Sequence, residues 1–98
     1  MLETVLDITH EHGLHARPAD LFVRTANQFQ SDIRINNLTT GSEAVNAKSI
    51  LRVLGLGVHS RHSVKVVAEG PDAAEAIAAL TRIVETNFMA EEQGPAQH

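Results

Sequence analysis

The residues best equipped for chemistry lie in the stretch Gly13-Leu14-His15-Ala16-Arg17-Pro18-Ala19, where an imidazole immediately precedes a helix start and a guanidinium follows two positions later. A neutral imidazole nitrogen is nucleophilic near pH 7, and the N–P bond it forms stays reactive enough to pass a phosphoryl group on. The first turn of a helix has backbone N–H groups without intrahelical partners. With the helix dipole they favour an anion, by about 0.3–1 kcal/mol when exposed and ~2 kcal/mol when partly buried. The amides of Ala16 and Arg17 are the phosphate-binding backbone on this reading. The Arg17 side chain adds a charge-assisted donor, and Gly13 permits a tight turn ahead of the imidazole. A histidine before a helix is commonly a plain loop residue, and on chemistry alone the two readings stand level.

Two further sets of residues bear weighing. His10, His12 and His15 form a histidine-rich run, but an extended segment brings at most two of them to one side. No cysteine and no helical His-x3-His pair completes a ligand set, so neither a metal nor a cofactor is called for. Ser49 opens a short apolar segment as a preferred N-cap. A phosphate there would place nearly two negative charges beside Ile50, Leu51 and Leu54, and so turn an apolar docking patch into a repulsive one for an acidic partner.

The elements that must position these groups follow from periodicity. Thr4, Leu6 and Ile8 alternate with Val5, Asp7 and Thr9 as a half-buried strand. Ala19, Phe22, Val23 and Ala26 have the spacing of one apolar helix face, and Pro18, tolerated only in the first turn, sets the helix start just after His15. Ile33 and Ile35 mark a second strand, and the polar run from Asn37 to Gly41 is expected to turn into a third around Ser42 to Val45. Ser49 through Leu54 reads as a short helix stopped by Gly55 and Gly57, with more apolar side chains than one buried face can take. Val64, Val66 and Ala68 mark a fourth strand. Gly70-Pro71-Asp72 opens the last helix with Pro at its first position, buried along Ala73, Ala76, Ile77, Leu80, Ile83 and Val84. Residues 1–88 thus form one domain, and 89–98, aperiodic and polar, a frayed tail. Four amphipathic strands with helices on one face make a two-layer α+β sandwich.

Composition narrows the function classes. Of 98 residues, 43% are hydrophobic and 20% charged, a globular balance, and only three are aromatic, so the core is aliphatic. The chain has neither a secretory signal pattern nor the run of roughly 20 apolar residues that spans a bilayer. With no cysteine, a cytoplasmic location is the simplest expectation. The net charge of −4, the lack of Tyr and Trp and the few Phe argue against a nucleic-acid-binding domain. Lys48, Arg52, Arg61 and Lys65 are the only charges between Ala44 and Ala68, which suggests a locally positive face on an acidic protein. No P-loop, nucleotide fingerprint or Mg2+-binding carboxylate pair points to a turnover site, so the chain reads as a carrier rather than an enzyme.

The His15 motif, followed by Asn46-Ala47-Lys48-Ser49-Ile50-Leu51, by Leu54-Gly55-Leu56-Gly57 and by Ala68-Glu69-Gly70, resembles HPr, the histidine-containing phosphocarrier of the bacterial phosphoenolpyruvate-dependent sugar phosphotransferase system. The resemblance covers Glu3 to Phe88. It implies an open-faced β-α-β-β-α-β-α sandwich, with a four-stranded antiparallel sheet in order 1-4-2-3 under three helices. It also implies a monomer whose His15 accepts phosphate through Nδ1 from phosphorylated enzyme I and delivers it to sugar-specific IIA domains. Arg17 then stabilises the phosphate, Ile50, Leu51 and Leu54 dock partners, and Ser49 falls where an HPr serine kinase modifies some relatives. The alternative is a regulatory paralogue, in a nitrogen-type chain or as a transcription co-effector, whose phosphorylation state is read by protein partners. The chain departs from the family pattern at His12, often Asn, at Asp20, usually small, and at Arg61, often Gly.

Overall fold

Alternating side chains divide the sheet into a wet and a dry face. In the computed structural model, which describes residues 1–88, the order is β1 (Leu2–Ile8), α1 (Ala16–Ala26), β2 (Asp32–Asn37), β3 (Val45–Asn46), α2 (Ile50–Gly55), β4 (His62–Glu69) and α3 (Ala73–Glu85). The expected tail, 89–98, lies outside the described residues. Every strand pairing is antiparallel and the sheet order is β1-β4-β2-β3. Leu6 and Ile8, Ile33 and Ile35, and Val64, Val66 and Ala68 all point to the dry face, where they are buried. Glu3, Val5 and Asp7, with Asp32 and Arg34, stay exposed on the other.

The helices close the dry face. Phe22, Ala19 and Ala26 of α1 and Ala76 and Leu80 of α3 are wholly buried, and α3 packs on β1 and β4. Each large apolar side chain so buried contributes about 1.5–3 kcal/mol. Of the six residues in α2, Val53 alone is buried. The Ser49 hydroxyl caps this helix, accepting from the Arg52 amide at 3.3 Å.

Three local expectations need correction. The third strand is only Val45–Asn46, not Ser42 to Val45, because the fully buried Asn37 gathers the chain into a wide turn. Its Oδ1 accepts from the amides of Thr39 (3.0 Å) and Thr40 (3.3 Å), its carbonyl accepts from those of Gly41 and Ser42, and its own N–H donates to the Ser42 hydroxyl. Gly55 is helical, and the left-handed residue that follows α2 is Gly57 (φ 61°). Pro71 lies before α3 rather than in its first position, since Asp72 is the N-cap.

Nor does the basic run form one face. Lys48 is committed to the Phe29 carbonyl (2.6 Å), while Lys65 lies on the open sheet face near Asp32 and Glu69. Arg61 has φ 71°, a left-handed conformation that suits Gly, which gives its departure from the family pattern a backbone meaning.

Asp72 does not cap its own helix with its side chain. Its carboxylate accepts from the amides of Gln30 and Ser31 (both 2.9 Å) and from the Ser31 hydroxyl (2.5 Å), while its own N–H donates to that hydroxyl (3.2 Å). The α1–β2 turn is thereby tied to the head of α3. Gly70 fits against this clamp because a Cβ there would lie 2.6 Å from Ser31 Oγ. The Ser31 hydroxyl, then the Gln30 amide, hold the Asp72 carboxyl below its ordinary value of 3.8. A carboxyl lowered on folding stabilises the fold above its unfolded pKa and loses that contribution as pH falls through the folded one. Asp72→Asn should therefore lower the thermal midpoint at pH 7, with the gap to the unsubstituted protein closing below about pH 4. Melting curves of both proteins from neutral to acid pH check this; a gap that persists at low pH would contradict it.

Candidate functional site

His15 is the N-cap of α1, with extended backbone (φ −115°, ψ 155°), and its side chain makes no capping bond. The ring is therefore not used up in holding the helix. Its carbonyl accepts from the Ala19 amide (3.3 Å), and Pro18 has no N–H to offer. The first turn is left with the amides of Ala16 and Arg17, which have no acceptor among the described residues. The sequence thus places an exposed imidazole beside two unpaired donors.

Backbone contacts fix that arrangement from both sides. The Leu14 amide donates to the Val58 carbonyl (3.0 Å) and its side chain is buried, while Pro18 and Ala19 are buried beyond the histidine. Between these anchors Ala16 has φ 28°, a region rarely entered by a residue with a Cβ, and such outliers cost on the order of 1–3 kcal/mol. Gly13 turns at φ 64°, and a Cβ there would stand 2.2 Å from the Val58 oxygen and 2.7 Å from His59 Cα. Only glycine lets the two chains approach so closely.

The two segments line a shallow depression of 490 Å³, His15 among residues 11–15, with residues 57–60 and Leu54 of α2 completing it. Asn27 and Lys48 bring α2 alongside α1: the Asn27 amide group donates to the carbonyls of Val23 (2.9 Å) and Lys48 (3.1 Å). Ile50, Leu51 and Leu54 are 38%, 79% and 40% exposed, so the surplus of apolar residues in α2 lies at the surface, and Leu54 lines the depression with His15. Ser49 lies in a different depression, with Arg34 and Arg52. Arg17 is exposed on α1, outside the His15 depression, and its guanidinium has no partner among the described residues. The charge of Asp20 is met by Arg24 at 2.9 Å. Among the described residues no three His, Asp or Glu side chains converge to hold a metal ion.

The 57–60 segment is not visible in the sequence, where it reads as loop. Its one signal is the tight turn at Gly13, which demands a close neighbour.

A family model described as "PTS HPr component phosphorylation site" matches residues 2–86. The chain belongs to the HPr phosphocarrier family. Its sheet order and three covering helices are those implied by the HPr resemblance. The multiphosphoryl transfer protein of Vibrio cholerae is 48% identical over 73 residues, which are 74% of this chain and 18% of that protein; the chain spans about a fifth of the length of such relatives. The phosphocarrier protein HPr of Haloferax volcanii is 45% identical over 85 residues, 87% of this chain and 94% of that one. The crystal structure of HPr-C-His from Thermoanaerobacter tengcongensis superposes with a TM-score of 0.85 at 45% identity, covering 90% of this chain and 96% of the other.

Within this HPr fold, Gly13→Ala tests the contact that places His15. The substitution should cost roughly 2–4 kcal/mol, since it combines a strained φ with a clash against backbone that cannot swing away. Denaturant unfolding measures the loss. A cost below about 0.5 kcal/mol, the range of surface substitutions, would show that the two segments part easily.

Proposed function

We propose that this chain is a phosphocarrier that accepts a phosphoryl group on Nδ1 of His15 from phosphorylated enzyme I and passes it to sugar-specific IIA domains. The observation that carries this reading is the free imidazole of His15 beside the unpaired amides of Ala16 and Arg17. The Nδ1 lone pair forms the N–P bond as the donor's bond to phosphorus breaks, and the ring proton stays on Nε2. Three phosphoryl oxygens then meet the two amides and the Arg17 guanidinium, which is unpaired and within a turn of the site. The group remains exposed enough to be handed on.

Ile50, Leu51 and Leu54 give donor and acceptor proteins one apolar surface next to the reacting nitrogen. Sharing a surface means that partners alternate, as a carrier requires. Phosphorylation of Ser49 by a serine kinase would place negative charge at the head of that patch and weaken docking of acidic partners. The chain on this reading works in the cytoplasm and has no turnover site of its own. Residues 1–88 are the carrier unit.

Incubation with phosphoenolpyruvate and enzyme I should add one acid-labile phosphoryl group per chain, read by intact mass. His15→Ala should abolish it, and Arg17→Ala should slow its formation roughly 10-fold to 100-fold, the worth of one hydrogen bond to a charged group. Undiminished labelling of the His15→Ala protein would remove His15 from the reaction.

A further inference from the structure

Between them α1 and α2 carry three arginines, Arg17, Arg24 and Arg52, and a single carboxylate, Asp20, at a position the family pattern usually gives to a small residue. Neither the phosphoryl-acceptor reaction nor the apolar patch uses Asp20. Its place in the fold nevertheless makes it part of the docking surface.

The two helices lie side by side and run in opposite directions. At one end the Asn27 amide group, at the close of α1, donates to the Lys48 carbonyl ahead of α2 (3.1 Å). At the other, Leu54 near the end of α2 lines the depression with His15, the N-cap of α1, and the Leu14 amide donates to the Val58 carbonyl (3.0 Å). Residues four and seven apart share one side of a helix. Ala16, Asp20 and Asn27 therefore form one exposed stripe, and the Asn27 bond shows that this stripe borders α2. Asp20 lies between its two ends, beside a helix whose exposed Ile50, Leu51 and Leu54 are apolar.

The carboxylate is oriented but open. Arg24 Nε donates to Asp20 Oδ2 at 2.9 Å, in the favourable i, i+4 order with the acid first, and both side chains are more than half exposed. So exposed a pair is weak, and it leaves the carboxylate accessible to a second donor. Asp20 Oδ1 accepts no hydrogen bond among the described residues.

A partner that covers Ile50, Leu51 and Leu54 takes water from Asp20 as well. An ionised carboxylate has about four acceptor sites, and covering it with those sites unmet is costly. An acidic group opposite adds repulsion, whereas a cation supplies both donors and charge. Arg17, one turn nearer His15, serves the phosphoryl group on the carrier reading, so the cation has to come from the partner.

We propose that Asp20 sets the partner specificity of this surface: proteins that dock here lay an apolar patch on Ile50, Leu51 and Leu54 and present a Lys or Arg side chain to Asp20. This rests on the α1–α2 surface being the docking surface of the carrier. Because donor and acceptor proteins share it, each carries the cation, and proteins with an acid at that point are rejected.

Binding of unphosphorylated enzyme I, followed by calorimetry, tests this without any phosphoryl transfer. Asp20→Asn keeps the shape and removes the charge, and should raise Kd roughly 10-fold; Asp20→Lys should raise it further. Glu3→Gln makes the same change in net charge as Asp20→Asn on the open face of the sheet, away from both helices, and should leave Kd unchanged. Labelling of the same proteins from phosphoenolpyruvate should show KM rising with Kd while kcat stays constant, since Asp20 acts on docking rather than on the reacting atoms. Equal or tighter binding of Asp20→Asn, or an equal loss in Glu3→Gln, would overturn the proposal. Enzyme I that binds with this dependence on Asp20 but leaves His15 unlabelled would support the docking assignment and count against the carrier function alone. Enzyme I that neither binds nor labels the chain would overturn both.

Discussion

The approach of Gly13 to the Val58–His59 backbone is the constraint on which the rest depends. It fixes the chain two residues before His15, at a separation that no side chain larger than hydrogen allows, and the Leu14 amide bond to Val58 locks the direction of travel. The helix that follows then has to start abruptly. Ala16 takes up the misfit as a positive φ, and Pro18 and Ala19, already buried, prevent it from relaxing. Strain at this point has a chemical counterpart: the same abrupt start leaves the amides of Ala16 and Arg17, next in the chain after the imidazole, without an acceptor among the described residues.

A second consequence concerns α2. So short a helix has little stability of its own and buries a single side chain, so its place is set by others. The Asn27 side chain supplies that placement by donating to the Lys48 carbonyl, Lys48 adds to it by donating to the Phe29 carbonyl in the turn after α1, and the Ser49 hydroxyl caps the first turn. The exposed Ile50, Leu51 and Leu54 are thereby held on a firm base beside the depression. An apolar patch is useful to a carrier only if it lies within reach of the reacting nitrogen, and Leu54 belongs to both.

Much of this was legible in the chain itself, wherever local sequence and tertiary demand agree. Pro18 and the spacing of Phe22, Val23 and Ala26 placed the start of α1, and the excess of apolar residues around Leu51 announced an exposed face. The misreadings fall where a distant partner decides. Nothing near Asn37 announces that its side chain will be fully buried and will draw Thr39 and Thr40 into a turn at the expense of β3. Asp72 reads only as part of the opening of α3 until Ser31, 41 residues earlier, is seen to donate to its carboxylate and to accept from its amide. Residues 57–60 of the depression are not legible in the sequence because loop residues such as His59 have no period, and the basic run between Lys48 and Lys65 scatters because a strand and a helix turn successive residues to different faces.

The central claim is that a phosphoryl group on His15 is received by the amides of Ala16 and Arg17. Their backbone resonances report it directly: on phosphorylation, both amide protons should move well downfield, as donors to a charged oxygen do, while those of Thr25 and Ala26 in the same helix stay in place. Amides of Ala16 and Arg17 that remain where they were, with phosphate covalently present on His15, would contradict the account.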